Sequence, residues 1–308
     1  MKGTKRVVEV ETGYRSRRHQ SGVVPIPRSR HTTPVANFGE HDVHAWSHCS
    51  RRYDAFAEEV TGPYARDAAR LVNLRAGVRC LDVAAGTGAF SLVAAETGAD
   101  VLATDFSPLM IEQLQRKCSR RGVQRVSTAI MDGQNLQLED ESFDVAASVF
   151  GLIFFPDQRR GLMELHRVLK PGGRAVVVAW GLPHRVEMMH LMGEALLGAN
   201  IELPDSPDEA PPWTRLGSSS YLKKLMMDSG FRHVHLVSVT HLWTFARAEY
   251  LAELLSAVTP TAAQLFRTLN EEQRAAFLTT LARDFQVRQG VGPYGVTSEA
   301  LIAVGSKD

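Results

Sequence analysis

A chain of 308 residues has room for one large domain, or for a core domain with a cap. Its composition, 44% hydrophobic and 22% charged, is that of an ordinary globular protein, and a net charge of +1 leaves no overall field to recruit nucleic acid or an anionic membrane surface. Three cysteines, Cys49, Cys80 and Cys118, form no Cys-x-x-Cys pair, which argues against a disulfide scaffold or a zinc site, and no apolar run approaches the roughly 20 residues that span a bilayer.

Residues 1 to about 40 are basic and proline-punctuated, with Arg15, Arg17, Arg18, Arg28 and Arg30 and no hydrophobic periodicity. They read as a disordered tail preceding a domain over 41–308. Their Arg- and Ser-rich character also fits an organelle-targeting peptide, which Glu9 and Glu11 oppose; otherwise the chain is expected in the cytoplasm. Trp46, Tyr53 and Phe56 then recur at helical spacing over 45–60, and Pro63 opens a second helix to about 74. A short buried strand at 78–83, a turn at 85–88 and a helix at 89–97 follow, the helix closed by Gly98. Next come a strand at 101–104 and a helix capped by Ser107, with Pro108 in its first turn, ending near Gly122.

Strands are predicted at 126–131 and 143–150, a helix at 157–169, and a fifth strand at 174–180 after Pro171-Gly172-Gly173. Cys80, inside the first strand, reads as a small core residue. Beyond Trp180 the pattern loosens: a helix at 184–198, a Pro-rich loop through Pro204, Pro207 and Pro211, a helix at 221–229, and a strand at 233–240. A helical stretch at about 245–295 and a last short strand at 300–304 complete the order. This alternation implies an α/β fold: a doubly wound, mostly parallel seven-stranded sheet of Rossmann-like type, with helical cap insertions at about 184–230 and 245–295.

The chemistry concentrates in Leu81-Asp82-Val83-Ala84-Ala85-Gly86-Thr87-Gly88. Glycines let the backbone approach a ligand closely, and the start of the following helix offers free N–H groups and a positive dipole end. Asp105 follows the second strand, where a carboxylate can bind both ribose hydroxyls. A dinucleotide fingerprint asks for a third glycine, and Ser91 stands in that position, so the dinucleotide reading fails.

The sequence resembles class I S-adenosylmethionine-dependent methyltransferases, and within them the group that includes ubiquinone/menaquinone-biosynthesis methyltransferases. The resemblance runs over about 45–182 and the last strand. The family turn, acidic-x-Gly-x-Gly-x-Gly, reads here Asp82-x-Ala84-x-Gly86-x-Gly88, with alanine for the first glycine. Asp132-Gly133-Gln134, Phe143-Asp144-Val145, Ser148-Val149-Phe150-Gly151-Leu152 and Arg167-Val168-Leu169-Lys170-Pro171-Gly172-Gly173 match in order. The resemblance implies S-adenosylmethionine as cofactor, held by Asp82, Ala84, Ala85, Gly86, Gly88, Asp105, Phe106, Asp132, Gly133 and Val149, with Asp132 at the adenine amino group. It also implies in-line methyl transfer to a small-molecule acceptor, aromatic or lipid-like, with no metal. No nucleic-acid partner and no stable membrane insertion are expected; the oligomeric state is left open.

No residue earns a firm catalytic assignment. His184, after the fifth strand, is the first candidate for a general base, with His190 and His241 behind it. The insertion at 245–295 is expected to cap the substrate pocket, burying Leu251, Leu254, Leu255 and Val258, and also Phe277, Leu278, Leu281 and Phe285. Two other readings stay open: a methyltransferase-fold binding or assembly protein without activity, and a protein or nucleic-acid methyltransferase. The second lacks support, because Val149-Phe150-Gly151-Leu152 replaces the Asn-Pro-Pro-Tyr type of motif.

Overall fold

The computed structural model describes residues 41–201, 212–256 and 258–308. The tail expected over 1–40 and most of the Pro-rich loop lie outside these residues. The first helix, α1 (Val43–Phe56), is capped by Asp42, whose side chain accepts from the His44 N–H. It does not stop where two separate helices are predicted. It runs through a π turn (Ala57–Thr61) directly into α2 (Gly62–Leu71), with Ala57 and Gly62 in helical conformation. Pro63 has no N–H to donate to the preceding turn, and within that turn the Thr61 hydroxyl donates to the Ala57 carbonyl at 2.8 Å. The small, buried face of α2, Ala65, Ala68 and Ala69, lets it pack closely on the sheet and on the next helix.

β1 (Arg79–Val83), α3 (Ala89–Glu96), β2 (Asp100–Asp105), α4 (Pro108–Arg121) and β3 (Val126–Ile130) follow the sequence reading closely. Ser107 caps α4 by accepting from the Met110 N–H, and Gly122 ends it at φ +67°. β4 (Phe143–Val149) is apolar and mostly buried, as a strand covered on both faces should be. After α5 (Gln158–Val168), β5 (Leu169–Trp180) starts five residues ahead of the predicted 174, because Leu169 already pairs with Phe143. α6 (Glu187–Gly198) and α7 (Ser219–Asp228) precede β6 (Arg232–Phe245), and α8 (Ala248–Leu255), α9 (Pro260–Thr268) and α10 (Glu271–Gln289) lead to β7 (Tyr294–Ser306).

The seven strands lie in the order β3-β2-β1-β4-β5-β7-β6, parallel except for β7, which runs against both neighbours. The last two strands are far longer than the predicted 233–240 and 300–304. Their pairing continues past the end of β5, where Trp180 faces Ala300, out to Phe245 opposite Tyr294. This two-stranded arm stands beyond the edge of the sheet at which β1, β2 and β4 end. One side of it is exposed, which dilutes the hydrophobic signal: Leu242 is 64% exposed while Trp243 and Phe245 are buried.

The helical insertion grows from the tip of the arm. α10 packs on α6, α8 packs on β6 and α10, and both α8 and α9 touch α1. Phe277, Leu281 and Phe285 are fully buried there, each worth roughly 1.5–3 kcal/mol of burial, while Leu278 is exposed, contrary to the predicted stripe. The insertion thus lies at the expected end of the sheet. Among the described residues no helix is long and apolar enough to cross a membrane.

Candidate active site at the ends of β1, β2 and β4

The turn after β1 holds three successive departures from ordinary backbone geometry. Ala84, Gly86 and Gly88 all take positive φ, at +56°, +55° and +90°. Glycine meets this demand freely, which explains the glycine preference; Ala84 meets it at a cost of about 1–2 kcal/mol. Its methyl group is accommodated across the cleft. A Cβ placed on Gly151 would fall 2.5 Å from the Cβ of Ala84, so the alanine and the facing glycine are matched. A Cβ on Gly86 would meet the Tyr53 ring at 2.9 Å, and one on Gly88 would run into Leu114.

Two carboxylates brace this turn. Asp105 is 6% exposed and accepts from the Gly86 N–H and the Ser107 N–H, both at 2.9 Å. Asp82, 1% exposed, accepts from the Ser91 hydroxyl at 2.5 Å through one oxygen; its other oxygen is buried without a partner. Ser91, which breaks the dinucleotide fingerprint, therefore anchors the acid below the turn. Burial raises both acids: Asp82 to about 7, with Asp105 adding to the rise and Ser91 opposing it, and Asp105 to about 6 against its two N–H donors.

A cleft of about 230 Å³ opens above the turn. Ala84, Gly86, Asp105, Phe106, Asp132 and Gly133 lie together along one side of it. Asp132 is exposed, with one oxygen accepting from the Gln134 N–H at 2.9 Å. Gly133 is required by packing, since a Cβ there would enter Phe155 and Val83. The other predicted cofactor residues are not on the wall. Asp82 lies beneath the turn, Ala85 and Gly88 support it from behind, and Val149 yields its place to Phe150. Phe150 sits at φ +58°, stacked on Trp180 at 4.2 Å between ring centres, a conformation that costs a bulky residue and redirects the chain at the end of β4.

The opposite side comes from α1 and the segment after β4. Trp46 and Tyr53 lie one above the other on α1, seven residues apart, and pack edge-on with ring centres 5.8 Å apart. Trp46 also meets Phe154 at 4.8 Å. Met110, Met131 and His41 also line the wall; the two methionines, just inside α4 and just beyond β3, and His41, just ahead of α1, carry no local sequence signal. Burial beside Asp105 and Asp82 drives the Tyr53 phenol well above its ordinary range, so it is a hydrogen-bond donor and not a base.

The three histidine candidates are not in the cleft. His184 is exposed on the short turn Pro183–Arg185, because the chain after Trp180 follows β7, with the Gly181 N–H bonded to the Glu299 carbonyl at 2.8 Å. His190 is exposed on α6. His241 packs on Tyr64 and contacts Asp67 at 2.7 Å. No described side chain from 245–295 is on the wall; α8 and α9 touch α1, which lines it.

The donor set suits an adenosyl amino acid. Asp105 keeps lone pairs for hydroxyls, Asp132 keeps a free oxygen beside a glycine shelf, no side chain caps α3, and an unpartnered Asp82 oxygen waits below.

Residues 81–177 match the family described as Methyltransferase domain. The chain is 34% identical over 206 residues to a demethylmenaquinone methyltransferase of Thermus thermophilus, covering 60% of this chain and 90% of that protein. It is 32% identical over 193 residues to a ubiquinone/menaquinone biosynthesis C-methyltransferase of Geobacter, covering 57% and 79%. An uncharacterized protein of Mycobacterium tuberculosis matches at 32% identity over 176 residues, 57% of this chain and 62% of that protein's length. Among solved structures, the YcgJ protein of Bacillus shares the fold at TM-score 0.53 and 18% identity, over 79% of this chain and 98% of that one. Fold, turn and relatives agree: the chain belongs to the class I S-adenosylmethionine-dependent methyltransferases, in the ubiquinone/menaquinone-biosynthesis-like group.

Proposed function

We propose that this chain transfers a methyl group from S-adenosylmethionine to a small, flat, apolar acceptor seated between α1 and the end of β4. The observation that carries the acceptor class is the wall facing Gly86 and Asp105. It is mainly aromatic and thioether, with Trp46, Phe150, Phe154, Met110 and Met131; His41 also lines the cleft, and among its described residues there is no Lys, Arg or Glu. Such a wall rewards burial of a ring. Two relatives are named for quinone methylation, one of them as a C-methyltransferase, which supports a quinol-like ring as acceptor.

The bound cofactor supplies a methyl group that is already activated. Asp105 and Asp132 would hold its sugar and base, and the α3 N-terminus with Asp82 its amino-acid end. Trp46 and Tyr53 shield the cleft from water and align the acceptor. Among the described residues His41 is the one imidazole lining the cleft, and an acceptor that is itself electron-rich would need no base to activate it. The test is twofold. Calorimetry with S-adenosylhomocysteine and with NAD should show binding of the first alone; labelled S-adenosylmethionine should then methylate electron-rich aromatic or quinol acceptors. Binding of NAD without S-adenosylhomocysteine overturns the reading, and tight cofactor binding with no transfer to any acceptor favours a binding or assembly role.

A further inference from the structure

Lys117, on α4, is a cation with 2% of its side chain exposed, and it takes no part in the site as described so far. Lysine is rarely held so deeply unless it is paired. Its ammonium group bonds the Asp54 carboxylate and lies 3.1 Å from Glu58. Asp54 is the residue after Tyr53, whose ring stands on Gly86. Glu58, in the first part of the π turn, also meets Arg121 at 2.6 Å, while the next residue, Glu59, accepts from Trp243 at 3.4 Å and Tyr250 at 3.3 Å. At the other end of α1, the Ser47 and Ser107 hydroxyls lie 3.0 Å apart.

The helix that carries Trp46 and Tyr53 is thus fixed to α4 by an ion pair between buried Lys117 and partly buried Asp54, one residue from Tyr53. Buried pairs add little net stability relative to apolar packing, but they specify one arrangement over its neighbours, and removing one partner strands the other. Register matters here. A shift of α1 by one residue moves it about 1.5 Å and turns it about 100°, which would carry Tyr53 off Gly86. We infer that Lys117 is a positioning residue that fixes the register of α1, and so of Tyr53 and Trp46, over the cofactor cleft. This inference rests on the methyltransferase reading of the cleft.

The test compares wild type, Lys117→Met, Asp54→Asn and Tyr53→Ala, the last also combined with Lys117→Met. Two measurements are made: S-adenosylhomocysteine affinity by calorimetry, and amide hydrogen exchange of the ligand-free protein. Lys117→Met should lose roughly tenfold in affinity in the wild-type background and less than twofold once Tyr53 is alanine, because both changes remove the same contact. Exchange should rise along α1 and stay unchanged in β1. Asp54→Asn, which keeps shape and removes charge, should show the same pattern in weaker form if Lys117→Met folds poorly. Equal losses in both backgrounds, or faster exchange spread over β1 as well, overturn the positioning role and leave the cofactor assignment standing. Absence of binding by wild type overturns both.

Discussion

Replacing Asp105 by alanine separates two things its carboxylate does at once. The structure shows it accepting from two buried backbone donors, Gly86 and Ser107, and the family reading adds ribose hydroxyls to the same oxygens. Stranding a buried N–H costs about 1–3 kcal/mol, so two strand about 2–6 kcal/mol. Part of this is returned, because the anion is itself poorly solvated: its pKa stands at about 6 against 3.8, which at about 1.4 kcal/mol per pH unit is about 3 kcal/mol at neutral pH. A net loss of about 1 kcal/mol is expected, lowering Tm by roughly 2–4 °C for a domain of this size. Cofactor affinity should fall further, by about ten- to hundredfold, as a charged hydrogen-bond acceptor is lost and the turn relaxes. Thermal unfolding followed by circular dichroism, with calorimetric titration of S-adenosylhomocysteine below the transition, reads both quantities. An unchanged Tm would refute the bracing role; unchanged affinity in a folded variant would refute the ribose role.

Other outcomes follow from the same turn. Ala84→Gly should raise stability by about 0–1 kcal/mol, as relief of the positive φ exceeds the entropy of the added freedom; denaturant midpoints measure this, and a clear loss would contradict the strain. Gly151→Ala should be poorly tolerated in wild type and better tolerated together with Ala84→Gly, a non-additivity that chemical unfolding of the four proteins detects. Between pH 4 and 7 the folded chain holds protons on Asp82 and Asp105 that the unfolded chain has released, so the ligand-free protein should lose stability as pH rises through that window. Asp82→Asn should flatten the upper part of that fall, and a Tm profile identical to wild type would count against it. Gly86→Ala should abolish measurable cofactor binding, since the added carbon collides with Tyr53 at 2.9 Å; retained affinity would show that α1 moves aside easily.

The parts of this protein readable in advance are those written in consecutive residues. Asp82 to Gly88 spells strand, turn and helix start, and Ser107-Pro108 spells a capped entry, so the cradle and the first five strands follow from local rules. The two larger failures share one origin, which is pairing between distant segments. The arm of β6 and β7 exists because Thr240 to Phe245 meets Tyr294 to Glu299, and neither stretch declares itself alone. His184 looked well placed after β5, but the course of the chain there is set by Glu299, more than a hundred residues away. The helix through Pro63 reads as two because proline suits the first turn of a new helix, whereas Ala57 and Gly62 stay helical and a π turn joins the two parts.

The position of β7 has a consequence for how the chain acquires its shape. It is inserted between β5 and β6, yet it is made after both. Until residues 294–306 leave the ribosome, β5 presents an open hydrogen-bonding edge and β6 has no neighbour at all. A nascent chain in that condition exposes the apolar run Ala175 to Ala179 and carries α8 to α10 with no arm to support them. Slow synthesis through 245–295 would prolong this interval, and strand edges left open are where newly made chains associate. Yield of folded protein should therefore depend on how quickly the ribosome crosses the insertion, with no change to a single residue of the cleft.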